Sequence, residues 1–359
     1  TPDGRAFPME PTLQPMPTPL GGGSTPEKWL ANYCVGAGGW TNYDIYPRMM
    51  GDVNGDGKAD IVGFGRKGVY IALSNGSGFG APTIWIANFG TAAGLWTNYN
   101  TFPRCMGDVN GDGKADVVGF GKKGVYVALS NGSKFLSPSL WVANFGAEAG
   151  GWTSQDLYPR ALGDVNGDGK ADVVGFGNRN IYVALSDGAK FANPMPWASG
   201  FGVSAGGWTS QDRYPRMMAD VNGDGKADVV GFGQKRVYVA TSTGSAFGAT
   251  EGWTVNNGDY TVIRGWEYQD KYPRTLAKTG LDAKMDVVGF GDEGVYASDA
   301  KDPGPGFMDT PEFVIANYAY HAGGWTSFYL YPRFMADVDG NGIADIIGFG
   351  HKFVYVSLY

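Results

Sequence analysis

The sequence predicts an all-β chain, a six-bladed β-propeller with about four antiparallel strands per blade and an N-terminal strand that closes the last blade. Three observations predict it. A unit of about 56 residues recurs six times. Every copy contains short β-branched segments bounded by Gly. The element missing from the last copy is found at the start of the chain.

The repeat is anchored by tryptophan. Trp40, Trp96, Trp152 and Trp208 follow one another at intervals of 56 residues, and Trp266 and Trp325 at 58 and 59. Eight residues after each Trp a Tyr/Phe-Pro-Arg tripeptide ends, at Arg48, Arg104, Arg160, Arg216, Arg274 and Arg333. A run of the type DVNGDGKAD, a VVGFG segment and a VYVALS segment come next. A period in this range is the signature of an array whose units bury their cores against each other.

Within a copy each segment reads as strand. Residues 61–65 (IVGFG) and 69–74 (VYIALS) are short, β-branched and punctuated by Gly, the pattern of strands joined by tight turns. Residues 83–88 (TIWIAN) alternate in the same way. No ten-residue segment has the 3.6-residue period of a helix. Four short strands per copy match one propeller blade.

Ring closure follows from the ends. The last copy stops after its VYVSLY strand at Tyr359, without the WIANF-type element that follows elsewhere. That element stands at Trp29–Tyr33, with Trp29 in register 56 residues before Trp85. Placing it in the last blade removes a free sheet edge. Residues 24–359 form the propeller, and their 336 residues are six times 56. Residues 1–23 hold six of the 20 prolines and a GGG run, and read as an extended arm.

Composition agrees. Among 359 residues there are 59 Gly, and Phe, Trp and Tyr make up 14 %, as expected for many tight turns and aromatic packing. A net charge of −7 argues against a nucleic-acid-binding surface. No apolar stretch reaches the 18 residues of a membrane-spanning helix. Cys34 and Cys105 occupy different places in the repeat, so a disulfide and two free thiols both remain open, and they decide no compartment. Of the possible compartments an extracellular one is favoured. The given sequence starts at Thr1 with neither a Met nor an apolar signal segment, as expected if a targeting segment has been removed or the start trimmed.

The strongest chemical signal is D-x-N-x-D-G-x-x-D. It occurs as Asp52, Asn54, Asp56 and Asp60; as Asp108, Asn110, Asp112 and Asp116; as Asp164, Asn166, Asp168 and Asp172; and as Asp220, Asn222, Asp224 and Asp228. The sixth copy varies it as Asp337, Asp339, Asn341 and Asp345. Alternating oxygen side chains in a tight loop converge on one hard cation, and an all-oxygen set favours calcium. About five structural Ca2+ sites are expected. This is no EF-hand, because position twelve is Gly63 and strands flank the loop. The fifth copy carries Lys278, Gly280, Asp282 and Asp286. It is expected to hold no calcium, with Lys278 in the cation's place.

The recurring Trp reads either as a platform for a sugar face or as a wedge between blades. Asp44, Asn100, Asp156, Asp212 and Asp270 lie four residues after a Trp and read either as acceptors for sugar hydroxyls or as turn caps. Sugar binding is expected at Trp40 with Asp44, Trp96 with Asn100, Trp152 with Asp156 and Trp208 with Asp212. Asn32, Asn88, Asn144 and Asn317 are candidates for the same grooves. The recurring Arg fits an inter-blade tie better than a ligand contact. The catalytic inventory is poor: two histidines, His321 and His351, and no nucleophile elbow, zinc motif or phosphate loop.

Taken together, the calcium loop, the GFG strand and AGGW resemble the integrin-α type repeat known as FG-GAP or VCBS. The runs ANFGAEAGGW, YPR, DVNGDGKADVVGFG and VYVALSNGSKF are similar to fungal lectins of the Psathyrella velutina type. The resemblance covers residues 24–359. It implies sugar sites between neighbouring blades for terminal N-acetylglucosamine and related sugars, and glycans or glycoproteins as partners. The leading expectation is a multivalent, calcium-stabilised carbohydrate-binding protein without catalysis. Two alternatives stay open. One is a cofactor-free enzyme of the pericyclase kind with one pocket at the propeller axis. The other is an integrin-like protein-adhesion module.

Overall fold

The computed structural model describes residues 24–253, 265–301, 304–308 and 311–359, and these contain strands and turns but no helix. The arm expected at 1–23 and most of the irregular stretch 249–265 lie outside the described residues.

Six four-stranded antiparallel sheets form the six blades of a propeller. Blade 1 runs Arg48–Gly51, Asp60–Phe64, Val69–Ala72 and Thr83–Ile86 from the axis outward. The following blades begin at Arg104, Arg160, Arg216, Arg274 and Arg333. The innermost strands touch one another in cyclic order, including Arg48–Gly51 against Arg333–Ala336, so the ring is closed. Closure uses the N-terminal strand. Glu27–Leu30 pairs antiparallel with Val354–Ser357, the last strand of the chain. Ser24 N also donates to the Leu358 carbonyl at 2.8 Å.

The core sits between blades. The second strand of each blade (DIVGF, DVVGF or DIIGF) is buried at every position, while the outer strand of blade 1 exposes Thr83 and Ile84 and buries Trp85. Phe120, Val125 and Val127 of blade 2 pack with Val173, Ala184 and Phe191 of blade 3 in one apolar cluster, and the same layer recurs round the ring. Polar staples cross these layers. Ser130, Ser186 and Ser242 each donate at 2.5–2.6 Å to a Val carbonyl of the preceding blade.

The six arginines of the YPR/FPR tripeptides are buried charges, at most 2 % exposed. Arg104 Nη1 donates to the Phe89 carbonyl at 3.2 Å, and Arg160, Arg216 and Arg333 repeat the bond to Phe145, Phe201 and Tyr318. Each guanidinium lies 5.5–5.8 Å over a Phe of the preceding blade. Burial lowers their pKa values, to about 9 or 10, which leaves them charged at neutral pH. They tie one blade to the entry loop of the next.

Candidate functional site

The loop between two blades begins with a left-handed aromatic residue. Phe89 (φ 58°) and Phe145 (φ 59°) are non-glycine residues in this region, which costs about 1–2 kcal/mol each. Complete burial of their rings offsets that cost. Asn88 Oδ1 accepts from Phe89 N at 2.7 Å and from Trp96 Nε1 at 3.3 Å, so one amide holds the turn and the indole together. Gly94 (φ 95°) is required here, because a Cβ would collide with Asn88 Oδ1 and the Trp96 ring. The Trp then lies flat on the strand beneath: a Cβ at Gly119 would strike Trp96 and Phe89. Trp40, Trp96, Trp152 and Trp208 are only 6–7 % exposed. The rings are core wedges that show an edge.

Beside these edges lie grooves. One, of about 580 Å³, is formed by Asn88, Leu95, Trp96, Phe102, Lys122, Lys123, Tyr126 and Pro138. Another, of about 440 Å³, is formed by Asn144, Trp152, Tyr158, Asn178, Tyr182 and Pro194. A third, of about 510 Å³, has Trp208, Tyr214, Gln234, Lys235, Tyr238 and Thr250. In each, a half-buried tyrosine stands edge-on to the Trp, with centroids 6.4, 6.3 and 6.1 Å apart. An aromatic wall with an amide and donors on the rim is suited to a small polyhydroxylated ligand. Asn88 and Asn144 line the grooves, whereas blade 4 has Gly200 at that place and Trp208 Nε1 donates to its carbonyl at 2.8 Å. The groove tyrosines and the rim residues after each GFG were not singled out from the sequence. Their only signal is the alternation of the VYVA strand, whose Tyr faces away from the buried valines.

The acceptors four residues after the Trp do not share these grooves, which corrects the expected pairing. Asp44, Asn100, Asp156, Asp212 and Asp270 line a cavity of about 230 Å³ with the residues that precede them, Tyr43, Tyr99, Gln155, Gln211 and Gln269, and with Phe328 and Tyr329. Contributions from all six blades place it on the propeller axis. Each acceptor takes backbone N–H groups of the next blade. Asp44 Oδ1 accepts from Tyr99 N at 3.0 Å and Asn100 N at 2.9 Å; Asn100 Oδ1 accepts from Asp156 N at 3.0 Å; Asp156 Oδ1 accepts from Gln211 N at 2.8 Å.

The acidic loops are preorganised. Asp52 accepts from Gly55 N at 2.7 Å and Gly57 N at 2.8 Å, and Asn54 Oδ1 from Asp56 N at 3.0 Å. Asp60 is buried and accepts from Val53 N at 3.1 Å and Ser74 N at 2.8 Å. Burial first, then Asp56 and Asp52, push its pKa to about 7; Asp116, Asp172 and Asp228 behave alike, and Asp345 reaches about 6. A buried carboxylate beside two others is a donor set that a hard cation relieves. In the sixth loop Asp337, Asp339 and Asp345 have oxygens within 4.8 Å of one another. In blades 1 to 4 the position-five carboxylate instead meets a lysine, as Asp56 meets Lys58 at 3.4 Å, and Ile343 replaces that lysine in the sixth loop. The all-oxygen donor set of the sixth loop therefore fits a hard cation such as calcium. The fifth loop differs from expectation: Asp286 Oδ2 accepts from the Thr279 hydroxyl at 2.6 Å, and Lys278 forms no ion pair among the described residues.

Cys34 and Cys105 are free thiols, pushed by burial to about 12.

The FG-GAP-like repeat family matches residues 108–174 and 164–231. No curated protein matches the chain. Among solved structures, an Agrocybe aegerita lectin described as recognising non-reducing terminal N-acetylglucosamine is 37 % identical, with a TM-score of 0.72, over 91 % of this chain and 80 % of that one. A Photorhabdus luminescens Tc holotoxin pore matches at 16 % identity and a TM-score of 0.59, over 93 % of this chain and 14 % of that one, a likeness of fold alone. On the strength of the match to the lectin across nearly its whole length, the chain belongs to the family of FG-GAP-like repeat β-propellers that includes that protein.

Proposed function

We propose that the protein is a multivalent carbohydrate-binding lectin whose sugar sites are the grooves beside Trp96, Trp152 and Trp208. The carrying observation is recurrence: one wall of Trp edge and Tyr appears in successive blades, with an amide on each rim and lysines on two of them. The kinship with an N-acetylglucosamine-recognising lectin supports terminal N-acetylglucosamine-type sugars as ligands. In this reading Tyr126, Tyr182 and Tyr238 present the aromatic face, Asn88 and Asn144 the amide, and Lys122, Lys123 and Lys235 further donors. The acceptors Asp44, Asn100, Asp156 and Asp212 act instead as inter-blade staples. Weak single sites on one rigid ring gain strength on a glycan surface through effective concentration. Glycans or glycoproteins are the proposed partners.

The five loops beginning at Asp52, Asp108, Asp164, Asp220 and Asp337 would each hold one calcium ion, with the buried Asp at position nine anchoring the loop to its strand. Bound calcium supplies charge neutralisation, and the chain supplies a loop already folded by its own Asx turns. A glycan array tests the function. Retention on arrays terminated by N-acetylglucosamine but not by galactose is expected, and absence of any glycan signal would overturn it.

A further inference from the structure

The axial cavity is where the six repeats meet and where they differ most. Three residues after the Trp stands Gln in blades 3, 4 and 5, as Gln155, Gln211 and Gln269. In blades 6, 1 and 2 the same place holds Phe328, Tyr43 and Tyr99. Because the aromatic copies are consecutive, they form an arc: the Tyr43 ring is 5.0 Å from Phe328 and 5.2 Å from Tyr99. The other half of the ring carries Asp156, Asp212 and Asp270. The cavity thus carries its aromatic rings on one side and three of its four carboxylates on the other, with Asp44 inside the aromatic arc, a division that sixfold repetition alone would not produce.

Its polar groups have spare capacity. Asp44, Asp156, Asp212 and Asp270 each use Oδ1 to hold the next blade, and their Oδ2 atoms have no hydrogen-bond partner among the described residues. Tyr43 lines the cavity, is only 7 % exposed, and its hydroxyl has no partner among the described residues. The four carboxylates are half-buried, so their Oδ2 atoms are open to a partner from solution. The buried guanidinium groups offset part of the negative charge at the mouth: Arg274 interacts with Asp212, Arg216 with Asp156, Arg333 with Asp270 and Arg104 with Asp44. The Tyr329 phenol there is pushed up to about 12, first by burial and then by Asp212, Asp44, Asp270 and Asp156, with no arginine opposing. Among the described residues, only Asp337, Asp339 and Asp345 form a triad with oxygens within 4.8 Å of one another. The axial carboxylates are therefore spread too widely for one bare metal ion.

We propose that the axial cavity is a second ligand site, separate from the blade grooves, for a small organic cation: a protonated amine on an aromatic body. The ammonium, with three donors, meets the free Oδ2 of Asp212, the middle carboxylate of that half, while the body lies against Phe328, Tyr43 and Tyr99. Aromatic faces and carboxylates together are the surroundings that hold organic cations. At about 230 Å³ the cavity is smaller than the roughly 300–1,000 Å³ of common ligand pockets, so one small molecule per propeller is expected. This site stands independently of the sugar reading.

The test titrates the intact chain with 2-phenylethylammonium, followed by calorimetry and by NMR of the tyrosine rings. Neutral 2-phenylethanol and anionic 3-phenylpropionate serve as controls. The informative variant is Asp212→Asn, because Asn100 already holds the equivalent inter-blade bond. Saturable binding of one equivalent is expected, at least tenfold weaker for both controls and for Asp212→Asn, with the melting temperature retained and no displacement by N-acetylglucosamine. If Asp212→Asn melts early, Tyr43→Phe replaces it and should weaken binding severalfold. No saturable binding, equal binding of a control, binding unchanged in the folded variant, or displacement by the sugar would each overturn the site.

Discussion

Gln155 and Arg160 share three hydrogen bonds, one of them from the Arg160 backbone N–H to Gln155 Oε1 at 3.0 Å. Arg160 Nε donates to Gln155 Oε1 at 3.2 Å, and the Gln155 amide donates back to the Arg160 carbonyl at 2.9 Å. Gln211 with Arg216, and Gln269 with Arg274, repeat the arrangement. Where Tyr43, Tyr99 and Phe328 replace the glutamine, Nε of Arg48, Arg104 and Arg333 is buried without a partner. Half of the ring thus satisfies its buried arginines with amides, and the other half forgoes those bonds for aromatic packing.

Removing the amide in the satisfied half should therefore be costly. Gln155→Leu leaves Arg160 Nε buried and unpaired, an expected loss of about 1–3 kcal/mol. Urea unfolding measures it, and a variant as stable as the parent would show that the bond carries nothing.

Burial separates the roles of two neighbouring aromatics. Trp152→Ala should cost about 3–5 kcal/mol, as for a large core side chain. Tyr182 is half-buried at the groove wall, so Tyr182→Ala should lower stability less and weaken sugar binding in that groove. Thermal melts and glycan binding on the same two variants check the pair. The opposite order of effects would reverse the assignment of core and site.

Leu95 stands at φ 61° and is 72 % exposed, where the other AGGW copies have Gly39, Gly151, Gly207 and Gly324 at φ 74–76°. A left-handed leucine costs about 1–2 kcal/mol, partly recovered because glycine loses more entropy on folding. Leu95→Gly should leave stability equal or slightly higher while removing the apolar wall of the Trp96 groove. A fall in melting temperature would contradict this.

Calcium should stabilise the ring by mass action, by about 2.7 kcal/mol per site at a hundredfold excess over Kd. Chelation should lower the melting temperature by many degrees, and Asp337→Asn should remove one equivalent of bound metal. A melting curve indifferent to EDTA, with no calcium in the purified protein, would exclude the metal.

Much of this architecture was legible in the sequence because the repeat is a physical unit. Trp spacing, GFG strands and the displaced WLANY element near Trp29 translate directly into blades and closure. The place of the acceptors was not legible. Trp96 and Asn100 are four residues apart, and an extended chain covers roughly 13 Å over that distance, enough to run from groove to axis. Period counting also says nothing of which face a residue serves. Trp152 was therefore open between platform and wedge, and Tyr182 passed as an ordinary strand residue. In the fifth loop the charge of Lys278 is legible in the sequence, whereas the bond to Asp286 made by the hydroxyl of its neighbour Thr279 is not.

The central claim, several equivalent sugar sites on one ring, is tested most directly by calorimetric titration of the intact chain with N-acetylglucosamine. The account predicts a stoichiometry above one per chain, reduced stepwise by Tyr126→Ala, Tyr182→Ala and Tyr238→Ala with the fold retained. No heat of binding, or a single site untouched by all three substitutions, would contradict it.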